Sequence, residues 1–266
     1  MELDHVDVLS RCLGYTLTSQ ERSNLEIGFL RRQATENVVG MRLWGKILGE
    51  AQDYVVCVAH VEALDVPKKK FYFCTNTSPE LQQFPEVSKE KRDKAAAYTG
   101  RLKGDPSRPM DESDDGQDDT NKDIFREVDR LVVIVEAIDD AASIVPCGAY
   151  VVSATHHVVA NRLFQGLTWD RAQQLSSYYH YRPADSAERK SALSQPGLVR
   201  AADFLDPISS DLDGVWDMRK DNTGAAIVLR HLQYPGAIFF HKPRTGVYGF
   251  AYVGDGLRNP DLAFML

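Results

Sequence analysis

"AAIVLRHLQYPGAIFFHKPRTGVYGFAYVGDG", residues 225–256, holds three apolar runs that are separated by "QYPG" and "PRTG". Proline and glycine are frequent in tight turns, and the β-branched and aromatic residues of the runs favour strands. The run "VWDMR", residues 215–219, precedes "DNTG", a separator of the same kind. The stretch therefore predicts four strands in an antiparallel meander.

The first third of the chain predicts helices and then a second meander. Apolar residues recur at helical spacing within the first 35 residues, and Thr18 or Ser19 is placed to cap a helix. Three strand-like runs follow: "MRLWGKIL" (41–48), "DYVVCVAHV" (53–61) and "FYFCT" (71–75). Because the strands cluster and do not alternate with helices, we predict an α+β fold: a single domain, residues 1–266, with N-terminal helices and two antiparallel β-meanders.

Two stretches lie between the meanders, and the first of them is ambiguous. "REVDRLVVIVEAIDDAASIVPCGAYVVS", residues 126–153, fits either a buried helix or a strand pair that turns at Asp139 and Asp140. Its many valines and isoleucines favour strands. "GLTWDRAQQLSSYYHYRP", residues 166–183, predicts a helix, with Thr168 as its cap and Pro183 beyond its end.

The net charge of −7 is concentrated in "DESDDGQDDTNKD", residues 111–123, which contains seven acidic residues and one lysine. Such a run predicts a disordered acidic loop, and an acidic docking segment is the alternative. The remaining chain lacks the basic face that nucleic-acid binding requires. No apolar run reaches the roughly 20 residues of a membrane-spanning helix, and the first residues lack a signal-peptide pattern, so we expect no membrane and synthesis in the cytoplasm.

The "GDG" at the end of the opening stretch invites comparison with a phosphate-binding loop. A dinucleotide fingerprint requires a third glycine where Asn259 stands, and a helix and strand after it. The chain also has no G-K-[ST] sequence to provide a phosphate-binding lysine. We therefore expect Gly254 and Gly256 to allow positive φ at the end of a strand.

The remaining reactive residues predict no catalytic, cofactor-binding or metal site. The four cysteines are scattered without zinc-site spacing, which indicates buried or half-buried thiols. No histidine pair has H-x-x-x-H or H-E-x-x-H spacing. A pocket that gathers His231 or His241 with Asp255 would instead favour a small soluble enzyme. A third alternative is a peptide-binding module that adds a strand to the edge of the C-terminal meander.

Aromatic and apolar residues near the C-terminal end form the remaining feature. One group lies on the predicted helix and a second at the end of the chain: Trp169, Tyr178, Tyr179, Tyr181, Phe264, Met265 and Leu266. Such side chains are either core residues or a surface that contacts another protein. We hypothesise that these seven residues form protein contacts.

Five stretches, in order, carry a resemblance to a known family. They are "LWGKILGEAQDYVV" (43–56), "GDPS" (104–107), "RLVVIVEAIDDAASIVPCGAY" (130–150), "NRLFQGLTWDRAQQLSSYYHYR" (161–182) and the tail from residue 228 to 266. Together they resemble the radial spoke head protein 9 family of motile cilia. The first 35 residues and the acidic run match no pattern of that family. Cys147 and Tyr234 stand where the family tends to have a basic residue and a tryptophan.

The resemblance implies a non-enzymatic structural subunit of the radial spoke head, in the axoneme of a cilium or flagellum. It implies other spoke head subunits as partners, especially those of the 4/6 type, and a position facing the central apparatus. A subunit there helps to relay mechanical signals to dynein. The family has no catalytic residues and no known cofactor, so none is expected in this chain.

Overall fold

The structure is a computed structural model that describes residues 1–14, 17–36, 38–61, 68–110, 124–153, 157–193 and 204–265. The helices are α1 (Val6–Leu13), α2 (Ser19–Thr35), α3 (Lys89–Ala97), α4 (Glu127–Ala142), α5 (Trp169–Ala172), α6 (Ala187–Leu193) and α7 (Leu262–Met265). The strands are β1 (Val39–Ile47), β2 (Tyr54–Val61), β3 (Lys68–Thr75), β4 (Gln82–Gln83), β5 (Ile144–Pro146), β6 (Tyr150–Val152), β7 (Val158–Ala160), β8 (Tyr178–His180), β9 (Trp216–Lys220), β10 (Ile227–His231), β11 (Ala237–His241) and β12 (Tyr248–Gly254). Helices and antiparallel strands occupy separate parts of the chain, which confirms the predicted α+β class.

Both predicted meanders are present, and they join into one sheet. Its strand order is β4-β3-β2-β1-β12-β11-β10-β9. Neighbours within each meander are antiparallel, whereas β1 and β12 are parallel, with Gly45 opposite Tyr252. The two halves of the chain therefore meet at one parallel seam in the middle of an otherwise antiparallel sheet.

Gly45 allows the two strands of the seam to approach each other. A Cβ atom at this position would lie 2.1 Å from the carbonyl oxygen of Tyr252. Because the obstructing atom belongs to the backbone of the paired strand, no side-chain rotation can relieve the overlap. A residue with any side chain at position 45 would push the two meanders apart.

We expect Gly45→Ala to lower the free energy of unfolding by about 2–3 kcal/mol, in the upper part of the range for overpacked sites. Urea denaturation of the purified variant measures this loss. Gly100→Ala is the matched control, since a Cβ atom there has no heavy atom within 4 Å. Equal stability of the two variants would show that the seam tolerates a side chain.

The sheet is covered on both faces. Side chains of α4 pack on one face, in a cluster that includes Trp44, Val56, Phe239, Leu131 and Val135. The N-terminal helices cover the other face, in a cluster that includes Val6, Leu25, Cys57, Ala251 and Phe240. A third, smaller cluster lies among the short strands and includes Val145, Tyr150, Tyr179, Tyr181 and Phe204. Successive residues of a strand point to opposite faces, which is why neighbours such as Val56 and Cys57 belong to different clusters.

The predicted N-terminal helices are confirmed, and α2 begins at the predicted cap. The Thr18 hydroxyl accepts a hydrogen bond from the Glu21 amide at 3.2 Å, and the Glu21 carboxylate accepts one from the Thr18 amide at 2.8 Å. This capping box satisfies two amides that the helix itself leaves unbonded. The second oxygen of Glu21 lies 2.8 Å from Lys46 Nζ on β1, so the cap also fastens α2 to the sheet.

The predicted strand pair within residues 126–153 is wrong, because residues Glu127–Ala142 form helix α4. Leu131, Val135, Ile138 and Ala142 recur at intervals of four, three and four residues, and all four are buried. A continuous apolar sheet face outweighs the weak strand preference of valine and isoleucine. Asp139 therefore lies within a helix and not in a turn. Its carboxylate accepts a hydrogen bond from Trp44 Nε1 at 3.0 Å.

The helix predicted over residues 166–183 is confirmed only for its first turn. Thr168 caps α5, which is limited to Trp169–Ala172, and a 3-10 turn and strand β8 follow. The Tyr178 hydroxyl donates a hydrogen bond to the Ala172 carbonyl at 2.8 Å, and β8 pairs with β5. Consecutive tyrosines favour a strand once a pairing partner is available.

Other sequence predictions have mixed outcomes. Cys12, Cys57 and Cys74 are buried and Cys147 is half-buried, as predicted. The acidic run 111–123 lies outside the described residues. Among the helices that the structure describes, none is both long and apolar enough to cross a lipid bilayer.

Candidate protein-contact surface

An apolar groove of about 440 Å³ lies at one end of the C-terminal meander. We call it the C-terminal groove, and it is formed by the turn between β10 and β11, by α1 and by the segment that follows β12. Its lining consists of Cys12, Arg230, His231, Leu232, Pro235, Gly236, Ala237, Ile238, Asn259 and Leu262. Residues distant in sequence thus form one concave surface.

The "GDG" sequence turns the chain into this groove. Gly256 has a φ of 77°, as predicted, and its amide donates a hydrogen bond to the Tyr252 hydroxyl at 2.8 Å. Gly254 is instead required for close approach, because a Cβ atom there would lie 2.6 Å from the Pro235 carbonyl oxygen. The backbone N–H of Asn259 then donates a hydrogen bond to the backbone carbonyl of Gln233 at 2.7 Å. The segment after β12 is thereby held against the β10–β11 turn.

A hydrogen-bonded network supports the wall of the groove at His231. The Asp211 carboxylate accepts from Trp216 Nε1 at 2.8 Å and lies 2.9 Å from His180 Nε2. The Trp216 ring packs edge-on against His231, with 4.7 Å between ring centroids. Burial lowers the pKa of His231 to about 4, so the ring is neutral at physiological pH. This wall of the groove is therefore uncharged.

The surroundings of the groove expose apolar surface. Phe264 lies two residues beyond Leu262 and is 89% exposed, and Leu232 is 36% exposed. Arg230 donates to the Cys12 carbonyl at 2.9 Å, which ties α1 to β10 beside the groove. A largely apolar groove with an exposed aromatic ring nearby is typical of surfaces that contact another protein.

The seven predicted contact residues fall into different environments. Tyr178, Tyr179 and Tyr181 are buried within the chain itself. Trp169 is half-buried, and the Lys220 ammonium lies 6.0 Å from the centroid of its ring. Phe264 is exposed, whereas the side chain of Met265 and all of Leu266 lie outside the described part of the chain. The contact hypothesis for this set therefore rests on Phe264.

Sequence reasoning missed the β10–β11 turn as a part of this surface. Leu232 is a large apolar residue immediately before the turn-forming "QYPG", and that placement was a usable signal. The network of His180, Asp211 and Trp216 had no such signal. Its members come from separate segments that only the fold brings together.

The histidines named for an enzyme have structural partners. His241 is fully buried, and its Nε2 accepts a hydrogen bond from the Leu167 amide at 3.1 Å. An Asp255 carboxylate oxygen lies 3.4 Å from the Arg101 guanidinium, and neither Asp255 nor His241 is among the residues that line the C-terminal groove with His231. Within the described ranges, no three histidine, cysteine or acidic side chains come together as a metal site would require.

Comparison with known proteins identifies the family. No protein-family model matches the chain. The Radial spoke head protein 9 homolog of Danio rerio is 36% identical, over 97% of this chain and 96% of the relative. Proteins of the same name from Mus musculus and Homo sapiens are 32% and 31% identical, each over 95% of this chain and 94% of the relative. The chain belongs to the radial spoke head protein 9 family.

Membership of the radial spoke head protein 9 family confirms the resemblance found in the sequence and extends it. An alignment over 97% of the chain includes most of the first 35 residues, where no family pattern was visible. The N-terminal helices, which cover one face of the sheet, are thus part of the aligned protein.

Proposed function

We propose that this chain is a non-enzymatic structural subunit of the radial spoke head, in the axoneme of a motile cilium or flagellum. The observation that carries the proposal is the nearly full-length match to proteins named for that assembly. The C-terminal groove, with Phe264 beside it, supplies a surface suited to a neighbouring subunit.

Rigidity is the property that such a subunit needs, and several contacts provide it. Helices cover both faces of the central sheet, and buried ion pairs such as Lys46 with Glu21 fix the helices to it. Close packing transmits strain with little deformation. We propose that the subunit supports assembly of the head and passes mechanical signals from the central apparatus towards dynein.

The proposed partner at the C-terminal groove is a spoke head subunit of the 4/6 type. An apolar side chain of that subunit would fill the groove, and the exposed Phe264 ring on α7 would form a second contact outside it. For residues 111–123, which lie outside the described residues, the hypothesis is electrostatic spacing against the acidic central apparatus. Replacing their carboxylates with amides and measuring ciliary beating tests that role, and unchanged beating would count against it.

We expect Phe264→Ala to weaken binding to a 4/6-type subunit about tenfold or more, since exposed aromatic anchors dominate interface energies. Co-expression followed by size-exclusion chromatography and titration measures this loss. The melting temperature should not change, because the ring is 89% exposed. Leu163→Ala is the matched control, an equally exposed apolar residue at 87% that lies outside the C-terminal groove.

The proposed contact surface and the proposed structural role can each be contradicted by a separate result. If Phe264→Ala binds as tightly as the unaltered chain, the exposed side of α7 is not part of the contact surface. If the unaltered chain does not associate with any spoke head subunit, the structural role itself is wrong.

A further inference from the structure

A second cavity, of about 380 Å³, lies between the central sheet and the short strands. We call it the tyrosine cavity. It is separate from the C-terminal groove, and its polar lining includes Arg42, His60, Lys69, Tyr150, Tyr181 and Tyr248. Its volume lies within the range of sites that hold small molecules.

The two cations of the cavity are neutralised to different degrees. Lys69 Nζ pairs with the Asp139 carboxylate, which is only 7% exposed. Arg42 has Glu2 as its acidic partner, at 3.6 Å, and the Glu2 side chain is 59% exposed. A solvent-exposed ion pair at that distance is weak. The Arg42 guanidinium therefore keeps donors for an anion that enters the cavity.

Two buried polar atoms in the lining lack a well-formed hydrogen bond. His60 Nδ1 makes no hydrogen bond with any residue that the structure describes, and the Tyr181 hydroxyl, which interacts electrostatically with Tyr150, has no well-formed hydrogen bond there. Tyr181 is only 4% exposed. Buried polar groups in proteins are nearly always hydrogen-bonded, so unpartnered ones at a cavity wall indicate that a ligand supplies the missing partner.

Aromatic rings form the apolar part of the wall. The Tyr150 and Tyr181 rings lie 4.6 Å apart at an interplanar angle of 30°, and His60 packs edge-on against Tyr181. The two tilted rings form an aromatic wall of the cavity, and the Lys69 ammonium lies 4.8 Å from the centroid of the Tyr181 ring.

The local field favours a negative ligand. The pKa of His60 is lowered to about 3, first by burial and then by the positive charges of Arg42 and Lys69. The His60 ring is therefore neutral at physiological pH. Because Asp139 neutralises Lys69, Arg42 is the cation that attracts an anion into the cavity.

We propose that the tyrosine cavity binds a small organic anion, with its carboxylate on Arg42 and its flat apolar ring beside Tyr150 and Tyr181. Hydrogen bonds from the guanidinium orient the carboxylate, and the Tyr181 hydroxyl gains the well-formed hydrogen bond that it lacks. This binding activity is additional to the structural role and does not depend on it.

Calorimetric titration of the full chain with 2-naphthoate tests the proposal, with 2-naphthamide as an uncharged ligand of the same shape. We expect one naphthoate per chain, bound at least about tenfold more tightly than the amide, because a charged hydrogen bond is lost with the amide. Inorganic phosphate, which has charge but no ring, should bind more weakly than naphthoate. Failure of naphthoate to bind at millimolar concentration, or equal binding of naphthoate and naphthamide, would overturn the proposal.

Three variants identify the residues involved. Arg42→Gln should weaken naphthoate binding about tenfold or more, whereas Glu2→Gln should strengthen it by removing a competing carboxylate. Tyr181→Phe should weaken naphthoate binding with little loss of stability, since its hydroxyl has no well-formed hydrogen bond to lose. Arg219→Gln, on the edge strand β9 with a 72% exposed side chain, is the matched control.

Arg42→Gln should weaken naphthoate binding and Glu2→Gln should strengthen it. A general loss of folding could not produce both effects. If Arg42→Gln does not fold, Glu2→Gln and Tyr181→Phe still test the site. Naphthoate affinity that is unchanged in both of those variants would refute the proposed position of the ligand.

Discussion

Acidification from pH 7 to pH 5 is expected to lower the free energy of unfolding by about 4–6 kcal/mol. Three buried histidines cause this loss. Burial is the main reason that the pKa of His60 falls to about 3 and the pKa values of His231 and His241 to about 4. Each ring therefore stays neutral in the fold at pH values where an unfolded chain protonates it.

The sign follows from proton uptake. A histidine in the unfolded chain binds its proton near pH 6.5, so below that pH unfolding takes up protons and is favoured. The contribution of each histidine to stability is complete above pH 6.5 and is lost as the pH falls towards its folded pKa. Each contributes about 1.4 kcal/mol per pH unit within that window. For His241 the cost of protonation has a specific structural cause. Its Nε2 accepts a hydrogen bond from the Leu167 backbone N–H, and a protonated Nε2 would place two donors against each other.

Urea denaturation at several pH values between 5 and 8 measures the effect. His60→Phe should reduce the slope between pH 6 and pH 5, since it removes one of the groups that take up a proton on unfolding, together with His231, His241 and the buried Met1 amino group. Stability that stays constant down to pH 5 would show that the buried rings are protonated without cost.

Removing Lys46 is expected to destabilise the fold by about 3–5 kcal/mol, the range for breaking a buried ion pair. Its ammonium lies 2.8 Å from Glu21 and 2.8 Å from Asp53, and its side chain is 5% exposed. In Lys46→Ala both carboxylates lose their cation in a poorly hydrated place. The urea midpoint of the variant measures the loss.

Two further variants separate charge from packing. Lys68→Ala removes an exposed lysine from β3 and should leave stability nearly unchanged. Adding Glu21→Gln to Lys46→Ala should restore part of the loss, because one uncompensated carboxylate is removed. A double variant that is less stable than Lys46→Ala alone would contradict this explanation.

The sequence predicted the parts of the fold that depend on neighbouring residues. Both meanders, the cap at Thr18 and the positive φ of Gly256 follow from local propensity and turn chemistry. These features need only a few adjacent residues to determine their conformation.

Features that depend on distant residues were missed or misjudged. Nothing near Gly45 indicates that Tyr252 lies opposite it. The valines of α4 are helical because a sheet face covers Leu131 and Val135, and that face is made elsewhere in the chain. The C-terminal groove likewise combines Cys12 with Leu232 and Leu262, and only the folded protein shows that they are neighbours.

The seam between β1 and β12 has a consequence for synthesis of the protein. β1 occupies the middle of the sheet, but its parallel partner is Tyr248–Gly254, the last strand of the chain. While the ribosome is still translating the second meander, one side of β1 carries unpaired backbone groups, which readily pair with other chains. Premature termination before residue 248 would therefore remove a central strand and leave two separate half-sheets with exposed edges. Nascent chains of this protein should for that reason depend on chaperones until β12 has been synthesised and has paired with β1.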